Sequence, residues 1–195
     1  EGEKEISSTF FHTPEALAVS DKGTMIAESN PTSHAEFGSD SVSLYDAQWK
    51  LIRTVEFGDL SKIDEVTFRM IKVMTLSPDN GLLAIGEDGG EHATLALYDT
   101  KTGKLLWGKD IGLSRVHEIV FSPDSAHLLL ATFESENFDL LAQLFDRSGN
   151  LLLEKRVPKA FNSYEVNYVR FSQDGQSFEV LDTDKNVRAT EKIPE

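Results

Sequence analysis

The feature that most constrains the fold is a fourfold repeat of a short apolar segment that ends in serine and runs into a turn. The segments end at Ser20, Ser77, Ser122 and Ser172, which lie 57, 45 and 50 residues apart. The turns that follow are rich in Asp, Asn, Pro and Gly, residues that favour changes of chain direction between strands. Repeats of this length are typical of blade-type units built from four strands.

Each turn is followed by a second apolar run, an acidic stretch and a third apolar run. In three repeats the third run ends in an aromatic residue followed by aspartate, at Tyr45, Tyr98 and Phe145. A tight turn and a fourth run then complete the unit. These runs are short and rich in Leu, Val, Ile and Phe, which indicates strands rather than helices with a 3.6-residue period. The sequence therefore predicts an all-β fold in which these aromatics pack between repeats.

The repeats resemble those of WD40-like and quinoprotein-like β-propellers. The resemblance is carried by Leu76-Ser-Pro-Asp79, by Phe121-Ser-Pro-Asp124 and by the third and fourth runs of repeat two, Leu95–Trp107. It implies about four four-stranded blades, with Trp107 docked between two of them. The Gly-His dipeptide of WD40 repeats is absent, and Tyr-Asp or Phe-Asp replaces Trp-Asp. The repeats are therefore interpreted as degenerate members of this superfamily.

We predict one propeller domain over residues 1–195. Its repeats are placed at about 14–57, 71–111, 116–157 and 166–193. The last repeat has sequence for only three strands, and an open sheet edge favours aggregation. We therefore expect the N-terminal strand, Ile6–Phe11, to complete the last blade; the alternatives are a linker or a strand of a blade further upstream. A homodimer that completes a larger ring, and a fragment of a longer propeller, also remain open.

Composition excludes several function classes. The 33 acidic and 19 basic residues give a net charge of −14, which argues against binding to nucleic acid or to anionic membrane surfaces. The absence of cysteine excludes disulfides and thiol nucleophiles. No apolar run is long enough to predict insertion into a membrane. A first residue other than Met and the lack of cysteine favour a periplasmic or secreted location.

The acidic residues concentrate in the four segments that link the second and third strands. These segments hold 11 of the 33 acids and one of the 19 basic residues. In a propeller such loops emerge at one end, so they predict an acidic loop face. Its members are Glu28, Glu36, Asp40, Glu87, Asp88, Glu91, Glu134, Glu136, Asp139, Asp182 and Asp184. The opposite end is expected to collect the cations Lys22, Lys50, Lys101, Lys104 and Arg147.

One loop has the residues of a metal site. Glu87, Asp88, Glu91 and His92 lie close together in a Gly-rich stretch, and their oxygen-rich set suits Ca²⁺ or another divalent cation. The alternative is a solvated loop without metal. We expect no required cofactor and assign no catalytic residue, since the chain has no nucleophile elbow, phosphate-binding loop or zinc-protease motif.

The sequence favours a non-catalytic binding or scaffold module that recognises a protein partner or a cationic ligand through the acidic loop face. A second contact candidate is Trp49, which stands in a turn whose counterparts in the next two repeats contain Gly103 and Gly149. Aromatic side chains in polar turns are typical of contact surfaces. The alternatives are a metal-assisted hydrolase or lactonase and an accessory or sensor portion of a larger extracytoplasmic protein.

Overall fold

A computed structural model describes residues 16–31, 39–56, 70–88, 93–112, 115–134, 139–158, 169–182 and 184–194. Within these ranges the chain consists of strands and turns, which confirms the predicted all-β class. The described residues form fifteen strands in four antiparallel sheets, three with four strands and one with three. Each sheet is a meander in which every strand pairs with the next one along the chain. We call the sheets blades 1 to 4.

The blades follow the sequence repeats. Blade 1 contains β1 (Leu17–Val19), β2 (Met25–Pro31), β3 (Ser39–Asp46) and β4 (Leu51–Glu56). Blade 2 contains β5 (Met70–Leu76), β6 (Leu82–Asp88), β7 (Ala93–Asp99) and β8 (Leu105–Gly112). Blade 3 contains β9 (Arg115–Phe121), β10 (His127–Glu134), β11 (Asp139–Asp146) and β12 (Leu151–Val157). Blade 4 contains β13 (Val169–Phe171), β14 (Ser177–Leu181) and β15 (Val187–Lys192).

The repeated serine organises the first turn of each blade. In blade 3 the Ser122 N–H donates to the His127 carbonyl at 3.0 Å, and Ser122 Oγ accepts the His127 N–H at 2.9 Å. The same hydroxyl donates to Asp124 Oδ1 at 2.6 Å. The residue three places after each serine has a positive φ, a left-handed conformation that favours Gly and Asn. These residues are Gly23, Asn80, Ser125 and Gly175.

The apolar core lies between successive blades, whose sheets pack face to face. Leu44 and Tyr98 are buried between blades 1 and 2, Leu130 and Phe145 between blades 2 and 3, and Phe178 between blades 3 and 4. Three such clusters are found in the described part of the chain, and none of them joins blade 4 to blade 1. Burial of alternate side chains on both sheet faces is what holds the blades together.

The predicted completion of blade 4 by the N-terminal strand is not tested by the described residues. Within the described ranges β15 is the last strand of blade 4, and Ile6–Phe11 lies outside them, so its role as a fourth strand stays a prediction. In the same ranges the structure has no helix of the length and hydropathy needed to span a membrane.

Candidate functional site

The acidic loop face is only partly described. The side chains of six predicted members lie outside the described residues: Glu36, Asp40, Asp88, Glu91, Glu134 and Glu136. His92 also lies outside them, so the predicted metal set cannot be assembled from described side chains and stays a prediction. Among the described residues, no three His, Asp or Glu side chains are grouped to hold a metal ion.

The expectation that Glu87 belongs to an exposed loop is wrong. Glu87 lies in β6 and is 1% exposed, and its carboxylate accepts a hydrogen bond from the Thr94 hydroxyl at 3.0 Å. Strand alternation places Glu87 on the same face of β6 as Leu83 and Ile85, and that face packs against blade 1. A carboxylate in this position is a structural polar group rather than part of a solvent-facing surface.

The other four described members of the acidic set are dispersed. Asp139 lies in β11, 3.4 Å from the Arg156 guanidinium, and Asp182 lies 3.8 Å from that of Arg188. Asp182 also accepts the backbone N–H groups of Asp184 and Asn186, and Asp184 is exposed in the same turn. Glu28 is a half-buried residue of β2 in blade 1. These contacts neutralise part of the negative charge at this end of the blades.

The opposite end, which we call the turn end, is not basic as expected. The hairpin turns that bring Lys22, Lys50, Lys101, Lys104 and Arg147 together also carry seven aspartates. These are Asp21, Asp46, Asp79, Asp99, Asp124, Asp146 and Asp174. The two ends therefore differ less in charge than the loop composition predicts.

Asp79 connects two blades at the turn end. Its backbone N–H donates to Ser125 Oγ at 3.2 Å, and its carboxylate lies 3.7 Å from the Arg147 guanidinium, both in blade 3. Partial burial acts to raise the pKa of Asp79, but hydrogen bonds from Ser77 and Gly81 and the charge of Arg147 together lower it. Asp79 is therefore held ionised, as a fixed charge between blades 2 and 3.

Trp107 makes the second connection between these blades, as the resemblance implies. Its indole N–H donates to the Arg147 carbonyl at 2.9 Å, and its ring centroid lies 6.1 Å from that of Phe145. The ring lies over Gly149, where a Cβ atom would stand 2.8 Å from the indole. Gly149 has a φ of 84°, so both its conformation and its lack of a side chain are required.

A similar contact, in which a side chain of one blade lies over a glycine turn of the next blade, is found between blades 1 and 2. Gly103 is the counterpart of Gly149 and has a φ of 72°. A Cβ atom at Gly103 would lie 3.1 Å from Cδ of Arg53, a residue of β4 in blade 1. In each case a side chain from the fourth strand of one blade covers the glycine turn of the next blade.

Blade 1 departs from this rule at Trp49. Trp49 occupies the turn position of Gly103 and Gly149, with a φ of 59° that is unusual and strained for a bulky residue. Its ring centroid lies 5.6 Å from that of Tyr45, the counterpart of Phe145. In blade 1 the ring that contacts Tyr45 is Trp49, a residue of the same blade. In blade 3 the ring that contacts Phe145 is Trp107, a residue of blade 2. Trp49 is nevertheless 57% exposed.

Trp49 lies beside a row of apolar residues on the face of blade 1 that is turned away from blade 2. Strand register places Val19, Ile26, Tyr45 and Leu51 side by side in this row, which we call the outer row. The two end members are open, with Val19 55% and Leu51 53% exposed, whereas Ile26 between them is buried at 7%. Exposed apolar patches of this kind mark contact surfaces on soluble proteins.

The corresponding row of blade 2 is covered. It consists of Leu76, Leu83, Tyr98 and Leu105, and it packs against blade 1. Tyr98 is 1% exposed, whereas Tyr45 is only half-buried. Sequence comparison identified Trp49 as an exception, but it did not identify the outer row, because the same residue types are core in the next blade.

Fold and repeat geometry together define a β-propeller-type protein. No protein-family model and no curated protein sequence matches the chain. Hydrazine synthase of Kuenenia stuttgartiensis matches in structure with a TM-score of 0.60 and 22% identity, over 86% of this chain and 43% of that chain. The Cps50 (Swd1) β-propeller domain of Myceliophteria thermophila matches with a TM-score of 0.56 and 16% identity, over 93% and 52%.

A eukaryotic initiation factor is a third structural neighbour, with a TM-score of 0.56 and 11% identity over 74% of this chain and 32% of that chain. This chain therefore spans about half, or less, of the length of these three solved chains. At such identities the likeness shows the propeller fold alone. These neighbours include an enzyme, and propellers carry unrelated activities, so the fold does not specify the function.

Proposed function

We propose that this chain is a non-catalytic binding module that recognises a protein partner through the outward face of blade 1, around Trp49. The observation that carries the proposal is the backbone of Trp49. Two counterpart turns use glycine at this position, yet here a bulky ring is held at positive φ and remains more than half exposed. Strain of this kind, retained at an exposed aromatic, supports a functional role.

The surroundings of Trp49 fit protein recognition. Val19 and Leu51 extend the apolar surface along the outer row, while Lys50 and Asp46 border it at the turn. An aromatic anchor with an apolar centre and a charged rim is the usual composition of an energetically important contact. The Trp49 ring contacts the Tyr45 ring at an interplanar angle of 50°, and this contact restricts the side chain before a partner binds, so less side-chain freedom is lost on binding.

Site-specific photo-crosslinking tests the proposal. A photoreactive benzoylphenylalanine at position 51, irradiated in extracts of the source organism, should give one adduct of defined mass. The same group at position 106 is the matched control, because Leu106 is 49% exposed but lies on β8 in blade 2. The adduct from position 51 should disappear in the Trp49→Gly variant, which keeps the glycine found in the counterpart turns.

Equal adducts from positions 51 and 106 would indicate non-specific contact and would contradict the proposal. An adduct from position 51 that survives Trp49→Gly would also contradict it, since the anchor would then be unnecessary. Circular dichroism and thermal unfolding of Trp49→Gly show whether the fold is retained.

We propose in addition that the acidic loop face, at the end of the blades away from Trp49, speeds association with a basic partner. Clustered like charge focuses the electric field and raises association rates at low salt. With a cationic test partner such as polylysine, the association rate should fall several-fold between low salt and about 0.5 M salt. Reversal of Asp184, an exposed member of the set, to Lys should reduce that dependence, and an unchanged slope would argue against steering.

A further inference from the structure

We propose that the outward face of blade 1 is self-complementary and pairs with the same face of a second copy of this chain, about a twofold axis. The proposal rests on the function proposed above and names the partner of that surface. Nothing in the described part of the chain covers the outer row in the way that blade 1 covers the corresponding row of blade 2. Two surfaces of this chain can be compared as partners of the outer row: the outward face of blade 4 and the outward face of blade 1.

Blade 4 does not fit it. Seven residues after the anchor serine, blades 1, 2 and 3 carry Ala27, Ala84 and Leu129, and each is buried against the following blade. The fourth member of this series is Glu179, which pairs with Arg170 at 2.6 Å on the outward face of blade 4. Packing this face on Val19 and Ile26 would bury an ion pair against apolar side chains, which is unfavourable.

This result disfavours two ways of covering blade 1. Closure of a four-bladed ring within one chain requires blade 4 on blade 1, and so does a head-to-tail pair of chains. The polar outward face of blade 4 instead has the character of a capping repeat, whose outer surface faces water. The surface that remains apolar and available on a second copy is blade 1 itself.

Charge makes the outward face of blade 1 complementary to itself. The outer row runs across the strands, with Glu28 and Glu56 on one side of it. On the other side the turns carry Lys22 and Lys50 together with Asp21 and Asp46, and the Asp46 carboxylate accepts the backbone N–H groups of Gln48 and Lys50. A twofold axis along the row reverses the strand direction of the second copy. Apolar residues then meet apolar residues, and Glu28 of each copy faces the lysine side of the other, as an isologous interface requires.

The solution mass of the full chain tests the pairing. Sedimentation equilibrium should give about twice the 21.7 kDa of one chain at micromolar concentration. Leu51→Asp places a charge in the outer row and should yield the monomer. Leu106→Asp, at a similarly exposed position of blade 2, should leave the dimer intact.

Charge reversal tests the twofold geometry. Glu28→Lys and Lys22→Glu should each weaken the dimer, by about tenfold if two symmetric ion pairs of about 1 kcal/mol or less are lost. The double reversal should restore most of the affinity, because each pair is re-formed with opposite signs. Arg170→Glu, on the outward face of blade 4, should have no effect on the mass.

A monomer at all concentrations would overturn the inference, and so would a dimer that dissociates on Arg170→Glu rather than on Leu51→Asp. Failure of the double reversal to restore pairing would overturn the twofold arrangement. These outcomes are separable from failure of the proposed function. A monomer that still gives the Trp49-dependent adduct with another protein would leave the binding module standing and reject only the second copy as its partner.

Discussion

Blade 1 and blade 3 are built from the same repeat, yet they treat the same surface in opposite ways. In blade 3, Phe145 is 3% exposed, and the glycine turn at Gly149 receives Trp107 from the preceding blade. In blade 1, Tyr45 is only half-buried, and the corresponding turn carries its own tryptophan, Trp49. The difference lies in the neighbour rather than in the strands. A repeat position is core only where another blade covers it.

The largest expected difference is in the free energy of unfolding when the counterpart aromatics Phe145 and Tyr45 are replaced by alanine. Phe145→Ala should lower the free energy of unfolding by about 3–5 kcal/mol, because it removes a ring packed between blades 2 and 3. Tyr45→Ala should cost less than half as much in dilute protein, since its face is open there. Urea unfolding of both variants measures this, and equal losses would contradict the comparison.

Substitutions at the two counterpart turn residues, Gly149 and Trp49, should change the free energy of unfolding by different amounts. Gly149→Ala forces a Cβ atom to within 2.8 Å of the Trp107 ring at a φ of 84°, and should cost roughly 2 kcal/mol or more. Trp49→Gly relieves roughly 1–2 kcal/mol of left-handed strain and loses an aromatic contact of about 0.5–1.5 kcal/mol. Its unfolding free energy should stay within about 1 kcal/mol of the parent. A large loss in Trp49→Gly would show that the ring is structural.

The anchor serines allow the same two blades to be compared at the turn between their first and second strands. Ser122→Ala removes the hydroxyl that accepts the partly buried His127 N–H and donates to the Asp124 carboxylate, and should cost about 1–3 kcal/mol. Ser20→Ala should cost less, because Lys22 stands where blade 3 has Asp124. Thermal unfolding of the two variants separates them, and the reverse order would count against this account of the turn.

The smallest expected effect is a pH dependence of the same turn. The Ser122 hydroxyl and the Ala126 N–H lower the pKa of Asp124, and Ser172 does the same for Asp174. Since the pKa is lower in the folded state, these carboxylates stabilise the fold above about pH 4, and this contribution is lost as the pH falls further. The melting-temperature difference between the parent and Asp124→Asn should therefore shrink between pH 6 and pH 3. A constant difference would refute the assignment.

Local features of the molecule could be predicted from the sequence. The serine anchors, the aromatic–Asp turns and the apolar runs specify strands and the hairpins that join neighbouring strands, and the structure confirms them. The burial of Glu87 could not be predicted, because it depends on the Thr94 hydroxyl in the next strand and on the packing of this face of β6 against blade 1. The stretch looked like a loop because it contains Gly and acidic residues.

The contacts over Gly103 and Gly149 could not be predicted either, because they also depend on packing between blades. Arg53 and Trp107 share no chemistry, and only the packing of one blade on the next shows that both cover a glycine turn. Trp49 could be singled out as an aromatic in a turn, but its positive φ and its contact with Tyr45 required the backbone. Contacts between blades are therefore what sequence periodicity leaves undetermined.

The central claim, that the outward face of blade 1 is an open contact surface, can be tested with the two tryptophans of the chain. Trp107→Phe leaves Trp49 as the single fluorophore, and Trp49→Gly leaves Trp107. Acrylamide quenching should be strong for Trp49 in dilute protein and should fall as protein concentration rises and the face becomes covered, while quenching of Trp107 should be weaker and constant. Equal quenching of the two tryptophans at every concentration would contradict the claim.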